Sequence, residues 1–99
     1  MTLDEATAVI KNRVGDQAPV AAVILFDFAE DGVILLNGRE TPPGVKNERQ
    51  DADCTIHISL SSFEAMLEGK DNPQMAFMMG RLRVEGDMNV ALQLSSILS

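Results

Sequence analysis

The sequence predicts a single α+β domain whose largely antiparallel sheet carries its helices on one face. The chain has 99 residues, a length typical of one domain, so we expect one unit over residues 1–99. Capped helical stripes alternate with short β-branched segments in the order α-β-β-β-β-α-α-β-α. Turn residues join neighbouring strands as hairpins, which pair antiparallel and leave the helices to cover the sheet.

The first element is a helix near residues 3–14. A capping box formed by Thr2 and Glu5 starts it, and Gly15 ends it. The apolar stripe between them has helical spacing and consists of Leu3, Ala6, Val9 and Ile10.

Two strands joined by a turn follow this helix. Val20 to Phe28 is apolar, Glu30-Asp31-Gly32 reverses the chain, and Val33 to Leu36 forms the second strand. One face of the first strand carries Val20, Ala22, Ile24, Phe26 and Phe28, and the other carries Ala21, Val23, Leu25 and Asp27. Both faces are unusually apolar, so Ala21, Val23 and Leu25 of the second face form a candidate subunit interface.

A weak strand and a clear strand come next. Turn residues at Asn37-Gly38 and 41–44 precede a third strand, expected at Val45 to Arg49. In the fourth strand the apolar Cys54, Ile56 and Ile58 alternate with Asp53, Thr55 and His57. Such alternation predicts one buried face and one solvated face.

The second half of the chain contains three helix starts and one strand. Ser59 is an N-cap, with Ile58 and Phe63 placed as a hydrophobic staple, and this helix extends to Gly69. Asn72-Pro73 begins a short helix that Gly80 ends. Leu82 and Val84 mark the last strand, and Asp87 caps a final helix whose inward positions are Val90, Ala91, Leu94, Ile97 and Leu98.

Composition disfavours nucleic-acid and membrane-spanning functions. The net charge is −7, whereas nucleic-acid binding draws its affinity from clustered Lys and Arg. The longest apolar run, Val20 to Phe26, is too short to cross a bilayer. The N-terminus has no signal-peptide pattern, so we expect a cytoplasmic protein with at most transient membrane contact.

The sequence offers no set of residues that suits catalysis or metal binding. The single cysteine, Cys54, and the single histidine, His57, are three positions apart on a strand and point to opposite faces. One residue of each kind does not supply a zinc or iron site. We expect no enzymatic activity, no metal and no cofactor.

Methionine is concentrated in one stretch of the chain. Met66, Met75, Met78, Met79 and Met88 lie near Phe63, Phe77, Leu67 and Leu82. Methionine fills irregular space and adapts to changing shapes. The cluster therefore indicates either an ordinary core or an adaptable apolar pocket.

A series of motifs connects these segments: residues 53–59, Phe63, Gly69-Lys70, and the continuous run 72–88. This series closely resembles the sterol carrier protein-2 family. It is similar to that family's strand, helix ending in Gly-Lys, short helix starting at Asn/Asp-Pro, and last strand. Residues 1–52 match only in layout. The short first half and the lack of a peroxisomal tripeptide or fused catalytic domain suggest a stand-alone bacterial-type member.

The resemblance implies a five-stranded sheet with an apolar tunnel between helices and sheet, and no catalysis by the domain. The tunnel would hold a fatty acid, fatty acyl-CoA, phospholipid, sterol or prenyl lipid. Positions that match the family's lining are Phe63, Met66, Met75, Phe77, Met78, Leu82, Val84, Met88 and Leu92. Strand alternation adds Ile24 and Phe26.

Two functions stay open at the level of sequence. The first is binding, with or without transfer, of such a lipid. The second is an accessory or dimerisation module of a larger enzyme or lipid pathway, using the apolar face of Ala21, Val23 and Leu25. The protein would accordingly be a monomer or a homodimer.

Overall fold

The computed structural model describes residues 1–15 and 21–94, which form one sheet with four helices. The strands are β1 (Val23–Asp27), β2 (Val33–Asn37), β3 (Gly44–Lys46), β4 (Cys54–Ile58) and β5 (Leu82–Gly86). The helices are α1 (Leu3–Val14), α2 (Leu60–Leu67), α3 (Pro73–Met78) and α4 (Met88–Gln93). A short 3-10 turn, Ala29–Asp31, joins β1 to β2.

The predicted elements all occur, and in the predicted order. The third strand lies earlier in the chain than the sequence predicts: β3 ends at Lys46, and Arg49 lies beyond it. The first strand begins at Val23, while the predicted starting residue Val20 lies outside the described residues, as do Ile97 and Leu98. Capping is as expected, since the Thr2 side chain accepts from Glu5 N and the Glu5 side chain from Thr2 N.

The sheet is mixed rather than fully antiparallel. Its strand order is β3-β2-β1-β4-β5, with one parallel pairing, between β1 and β4, and three antiparallel pairings. Parallel neighbours need a crossover instead of a hairpin. Residues 47–53 form that crossover, which carries the chain from β3 at one edge to the far side of β1. Hairpin signals alone do not reveal this connection.

One face of the sheet, here called the inner face, is covered by the helices. From the strands it presents Ile24, Phe26, Ile34, Leu36, Cys54, Ile56, Ile58 and Leu82 to a single buried cluster. The helices contribute to the same cluster, among others, Ala6 and Ile10 of α1, Phe63 and Met66 of α2, Ala76 of α3 and Val90 of α4. The assignment of Ile24 and Phe26 to one face of β1 is confirmed, because both belong to this cluster whereas Leu25 belongs to a separate one.

The opposite, outer face is covered in part by the crossover itself. Leu25, Val33 and Leu35 are buried there, with Ala52 of the crossover packed against them. The Arg49 guanidinium donates to the Asp27 carboxylate at 2.9 Å, which holds the crossover across the end of β1. The candidate subunit interface on this face is therefore wrong at Leu25, because the same chain already buries it.

Candidate functional site

An open apolar cleft lies on the inner face, above β4 and β5 and between α3 and α4. Its volume is about 310 Å³. The residues that line it are Ile56, Pro73, Gln74, Phe77, Met78, Leu82, Val84, Met88, Ala91 and Leu92. Gln74 is the one polar side chain among them. A ligand that enters the cleft would therefore displace few waters that are hydrogen-bonded to lining side chains.

The α3 wall is positioned by its two ends and by one buried side chain. The Asn72 side chain accepts from Met75 N at 2.7 Å, and Pro73 occupies the first turn. At the other end Gly80 adopts a φ of 78°, a left-handed conformation that glycine accepts without a steric cost. Ala76 is fully buried and anchors the helix to the core.

The α4 wall has more contacts with the buried core than the α3 wall. Asp87 caps it by accepting from Asn89 N at 2.9 Å, and the Asp87 backbone N–H donates to Asp53 O at 2.9 Å. Val90 and Leu94 are buried in the core, which turns Ala91 toward the cleft and leaves Leu92 at its margin. The two walls therefore differ: α4 is anchored at two positions and α3 at one.

The floor of the cleft follows from strand alternation. Leu82 and Val84 of β5 face inward, and Val84 lies opposite Ile56 of β4. The same row continues to Phe26, which pairs with Ile56 in the parallel register. The cleft ends at Ile56, because Phe26 is fully buried under α2.

Six of the predicted lining residues come together in this cleft. They are Phe77, Met78, Leu82, Val84, Met88 and Leu92. Sequence reasoning did not name Ile56, Pro73, Gln74 or Ala91 as lining. The alternation of β4 and the inward stripe of α4 contained the signal for Ile56 and Ala91, whereas Pro73 and Gln74 line the cleft only because of how α3 is oriented.

Five of the predicted lining residues do not contact the cleft. Ile24, Phe26, Phe63 and Met66 are fully buried in the packed core. The rings of Phe26 and Phe63 pack edge to face with centroids 5.9 Å apart, a favourable arrangement for aromatic pairs. Met75 is outside the lining and 49% exposed. Within the described residues, the expected tunnel is thus an open cleft that stops at the core.

Large apolar side chains remain exposed around the cleft. Met78 is 80% exposed, and Phe77, Met88 and Leu92 are exposed as well. Monomeric proteins seldom leave such residues together at the surface without a function. Flexible thioether side chains can rearrange around ligands of different shape, so these residues suit a site that adapts to its occupant.

Cys54 and His57 are separated by the sheet, as their spacing predicts. Cys54 is buried on the inner face, and burial, with smaller contributions from Asp87 and Asp53, raises the pKa of its thiol. A raised pKa disfavours the nucleophilic thiolate. His57 lies on the outer face between Asp27 and Glu85, at 3.5 and 3.1 Å. The two side chains do not form a dyad.

A second recess, of about 520 Å³, lies at the end of β1 and β4. Asp27, Glu30, Asp31, Arg81 and Arg83 are among its lining residues. An apolar ligand placed there would remove charged groups from water without pairing them, which is costly. The smaller cleft is therefore the better candidate for an apolar molecule, although this recess has the larger volume.

Neither a metal site nor a spanning helix occurs in the described part of the chain. No three His, Cys, Asp or Glu side chains of residues 1–15 and 21–94 converge in a way that would hold an ion. None of the helices formed by these residues has the length and apolar character needed to cross a membrane.

The sequence of residues 3–99 matches the SCP-2 sterol transfer family. A 51-residue segment, 52% of this chain, is 43% identical to sterol carrier protein 2 of Homo sapiens. That segment corresponds to 9% of the human protein, so the chain spans a small part of the curated relatives that it matches.

Two solved structures share the fold. The sterol carrier protein domain 2 of Helicoverpa armigera is similar with a TM-score of 0.78 and 21% identity, over 95% of this chain and 83% of that one. The apo form of sterol carrier protein 2 from Yarrowia lipolytica has a TM-score of 0.67 and 26% identity, over 93% of this chain and 72% of that one.

Proposed function

The chain belongs to the SCP-2 sterol transfer family, and from that premise we propose that the cleft between α3 and α4 binds an elongated lipid without catalysing a reaction on it. The observation that carries the proposal is that six residues, which the resemblance to the family predicts as lining, converge on one apolar cleft. Fatty acid, fatty acyl-CoA, phospholipid, sterol and prenyl lipid are the candidate classes, and all of them present a long apolar part.

Binding would be driven by the removal of apolar surface from water. Each buried methylene contributes about 0.8 kcal/mol, against the cost of association and of ordering the ligand. The exposed faces of Met78, Met88 and Leu92 would be covered at the same time. Since Gln74 is the single polar residue among the described residues that line the cleft, we expect selection by length and shape more than by hydrogen bonding.

The α3 wall is the part that would adapt. Of its six residues, Ala76 is the one that is buried, and Phe77 and Met78 lie on the cleft side. A short helix with few buried contacts opens at low free-energy cost. Outward movement of α3 would admit a ligand, and inward movement would close Phe77 and Met78 over it.

Two methionines provide a matched test of the site. Met88 lines the cleft and is 46% exposed, whereas Met75 does not line it and is 49% exposed. We expect Met88→Gln to weaken binding of a fluorescent long-chain fatty acid about tenfold, because one amide in an apolar site costs roughly 1–3 kcal/mol. Met75→Gln should leave the dissociation constant within about twofold of the unsubstituted protein.

The identity of the ligand is found by extracting the purified protein and analysing the co-purifying lipid by mass spectrometry. Equal affinity loss in both variants would show that the fatty acid contacts a general apolar surface, and the proposed cleft would then be wrong. The same would follow if no lipid were recovered and no member of these lipid classes bound.

A further inference from the structure

β5 is an open edge of the sheet, and it differs from the other edge. β3 at the far edge has three residues and follows Pro42 and Pro43, which limit strand pairing there. β5 has five residues and no proline, and in the described part of the chain its only partner strand is β4. Such an edge offers a row of backbone N–H and C=O groups to another strand.

The register of β5 identifies which backbone groups point toward that edge. Asp87 N donates to Asp53 O at 2.9 Å, so these directly opposed residues form a hydrogen-bonded pair. Hydrogen-bonded and non-hydrogen-bonded pairs alternate in antiparallel strands. Arg83 and Glu85 therefore direct their backbone groups toward β4, and Val84 directs its N–H and C=O toward the open edge.

A second copy of β5 is complementary to this edge. If a two-fold axis passes beside Val84, each Val84 pairs with its counterpart through outward backbone groups. Arg83 then lies opposite Glu85 of the second copy, and the same contact recurs on the other side of the axis. This is a non-hydrogen-bonded position, where side chains approach most closely and opposite charges are favourable.

Both charges lie at the surface, where Glu85 also contacts His57 Nε2 at 3.1 Å, and together they select the register. Arg83 is exposed, and the Glu85 side chain is 68% exposed. A shift by two residues in one direction would place Arg83 against Arg83, and a shift in the other direction would place Glu85 against Glu85. Like charges directly opposite each other are destabilising, so one register is preferred.

We propose that β5 pairs with β5 of a second copy of this chain, joining two five-stranded sheets across a two-fold axis at Val84. A two-fold interface requires a self-complementary patch, and Arg83-Val84-Glu85 supplies one because reversing the strand exchanges the two charges. Leu82 and Val84 also form the floor of the apolar cleft. The two clefts consequently adjoin on the same face of the joined sheet.

The interface is narrow, because it consists mainly of two five-residue strands. Interfaces of this size give weak complexes, so the dimer should depend on concentration. Sedimentation equilibrium between about 10 µM and 1 mM covers the corresponding range of affinity. The unsubstituted chain is expected to shift from monomer to dimer within that range.

Charge reversal at the two positions tests the register. Arg83→Glu places four carboxylates at the interface, and Glu85→Arg places four guanidinium groups there. Each single variant should dimerise about tenfold more weakly or worse, since two attractive pairs become repulsive. The double variant Arg83→Glu/Glu85→Arg should regain dimerisation, and an equimolar mixture of the two single variants should form a heterodimer.

Three outcomes would overturn the proposal: a monomeric protein at about 1 mM, single variants that dimerise like the unsubstituted chain, or a mixture that does not associate. Circular dichroism of each variant verifies that the fold is retained. The proposal does not rest on the lipid site, because fatty-acid binding measured on the same variants reports that site separately.

Discussion

At the residue scale, the ion pair between Arg49 and Asp27 shows how one contact fixes the crossover. Arg49 Nη1 donates to Asp27 Oδ2 at 2.9 Å, and Ala29 N donates to Asp27 Oδ1 at 2.9 Å. The hydrogen bond from Arg49 is the largest of the effects that lower the pKa of Asp27 below its ordinary value of 3.8. The ionised carboxylate is thus favoured in the folded protein.

This pair predicts a pH-dependent loss of stability. A lowered pKa contributes stability that is fully present above the unfolded value and is lost as pH falls through the folded value. Arg49→Gln should therefore lower the thermal midpoint at pH 7, and the difference from the unsubstituted protein should shrink as pH falls below about 4. Lys46→Gln removes the same charge from an exposed pair with Glu48 and is the control. A constant difference at all pH values would contradict this role of Asp27.

Two phenylalanines, one in the core and one in the cleft, allow the two regions to be tested separately at the residue scale. Phe63 is fully buried, whereas Phe77 lines the cleft and is 48% exposed. Phe63→Ala should lower the free energy of unfolding by about 3–5 kcal/mol. Phe77→Ala should change it by less than about 1 kcal/mol and weaken fatty-acid binding instead. Urea unfolding and the binding assay distinguish these results, and comparable destabilisation by both variants would contradict the assignment.

At the element scale, α3 depends on its N-cap more than on buried contacts. It has six residues and one fully buried side chain, Ala76. The Asn72 side chain satisfies the Met75 N–H at its start. Isolated helices of this length are unstable in water, so the cap and the contact with β5 hold the helix in place.

Removing that cap is expected to affect the ligand as well as the fold. Asn72→Ala should lower stability by about 1 kcal/mol and weaken fatty-acid binding, because α3 forms one wall of the cleft. Ser59→Ala removes the equivalent cap of α2, where Ser59 accepts from Ser62 N. It should produce a similar loss of stability without the loss of binding. Urea unfolding and the fatty-acid titration measure the two effects, and equal binding losses would contradict a specific role for α3.

At the scale of the whole molecule, the inner face of the sheet carries both a packed core and an open cleft. α1 lies against β3 and Phe63 of α2 packs on Phe26 of β1 in the core, whereas α3 and α4 border the cleft over β4 and β5. A small domain buries a limited share of its surface. Keeping the cleft at one edge of the sheet leaves the rest of the core intact.

This arrangement predicts that a bound lipid stabilises the whole domain. A ligand that binds only the folded state at about 100 times its dissociation constant adds roughly 2.7 kcal/mol, which is a rise of about 10–20 °C for a domain of this size. Thermal unfolding with and without a long-chain fatty acid measures the shift. Met88→Gln, which we expect to bind about tenfold more weakly, should show roughly half of that rise at the same ligand concentration, and an equal rise would contradict binding in the cleft.

Local residue patterns account for much of the fold. Thr2 and Glu5, Ser59, Asn72 and Asp87 all cap helices where the sequence predicts them. Alternation along β5 predicts that Leu82 and Val84 face inward, and both line the cleft. These features depend on neighbours within a few residues, so the sequence contains them directly.

The sequence by itself determined the order of the elements, their caps and which side chains of each strand share a face. Only the tertiary structure decided that β4 pairs parallel with β1, that the crossover buries Leu25, and that Phe26 and Phe63 belong to the core while Phe77 and Met88 line a cleft. The reason is range: caps and alternation follow from local hydrogen bonds and sterics, whereas pairing and packing depend on contacts between residues far apart in the chain.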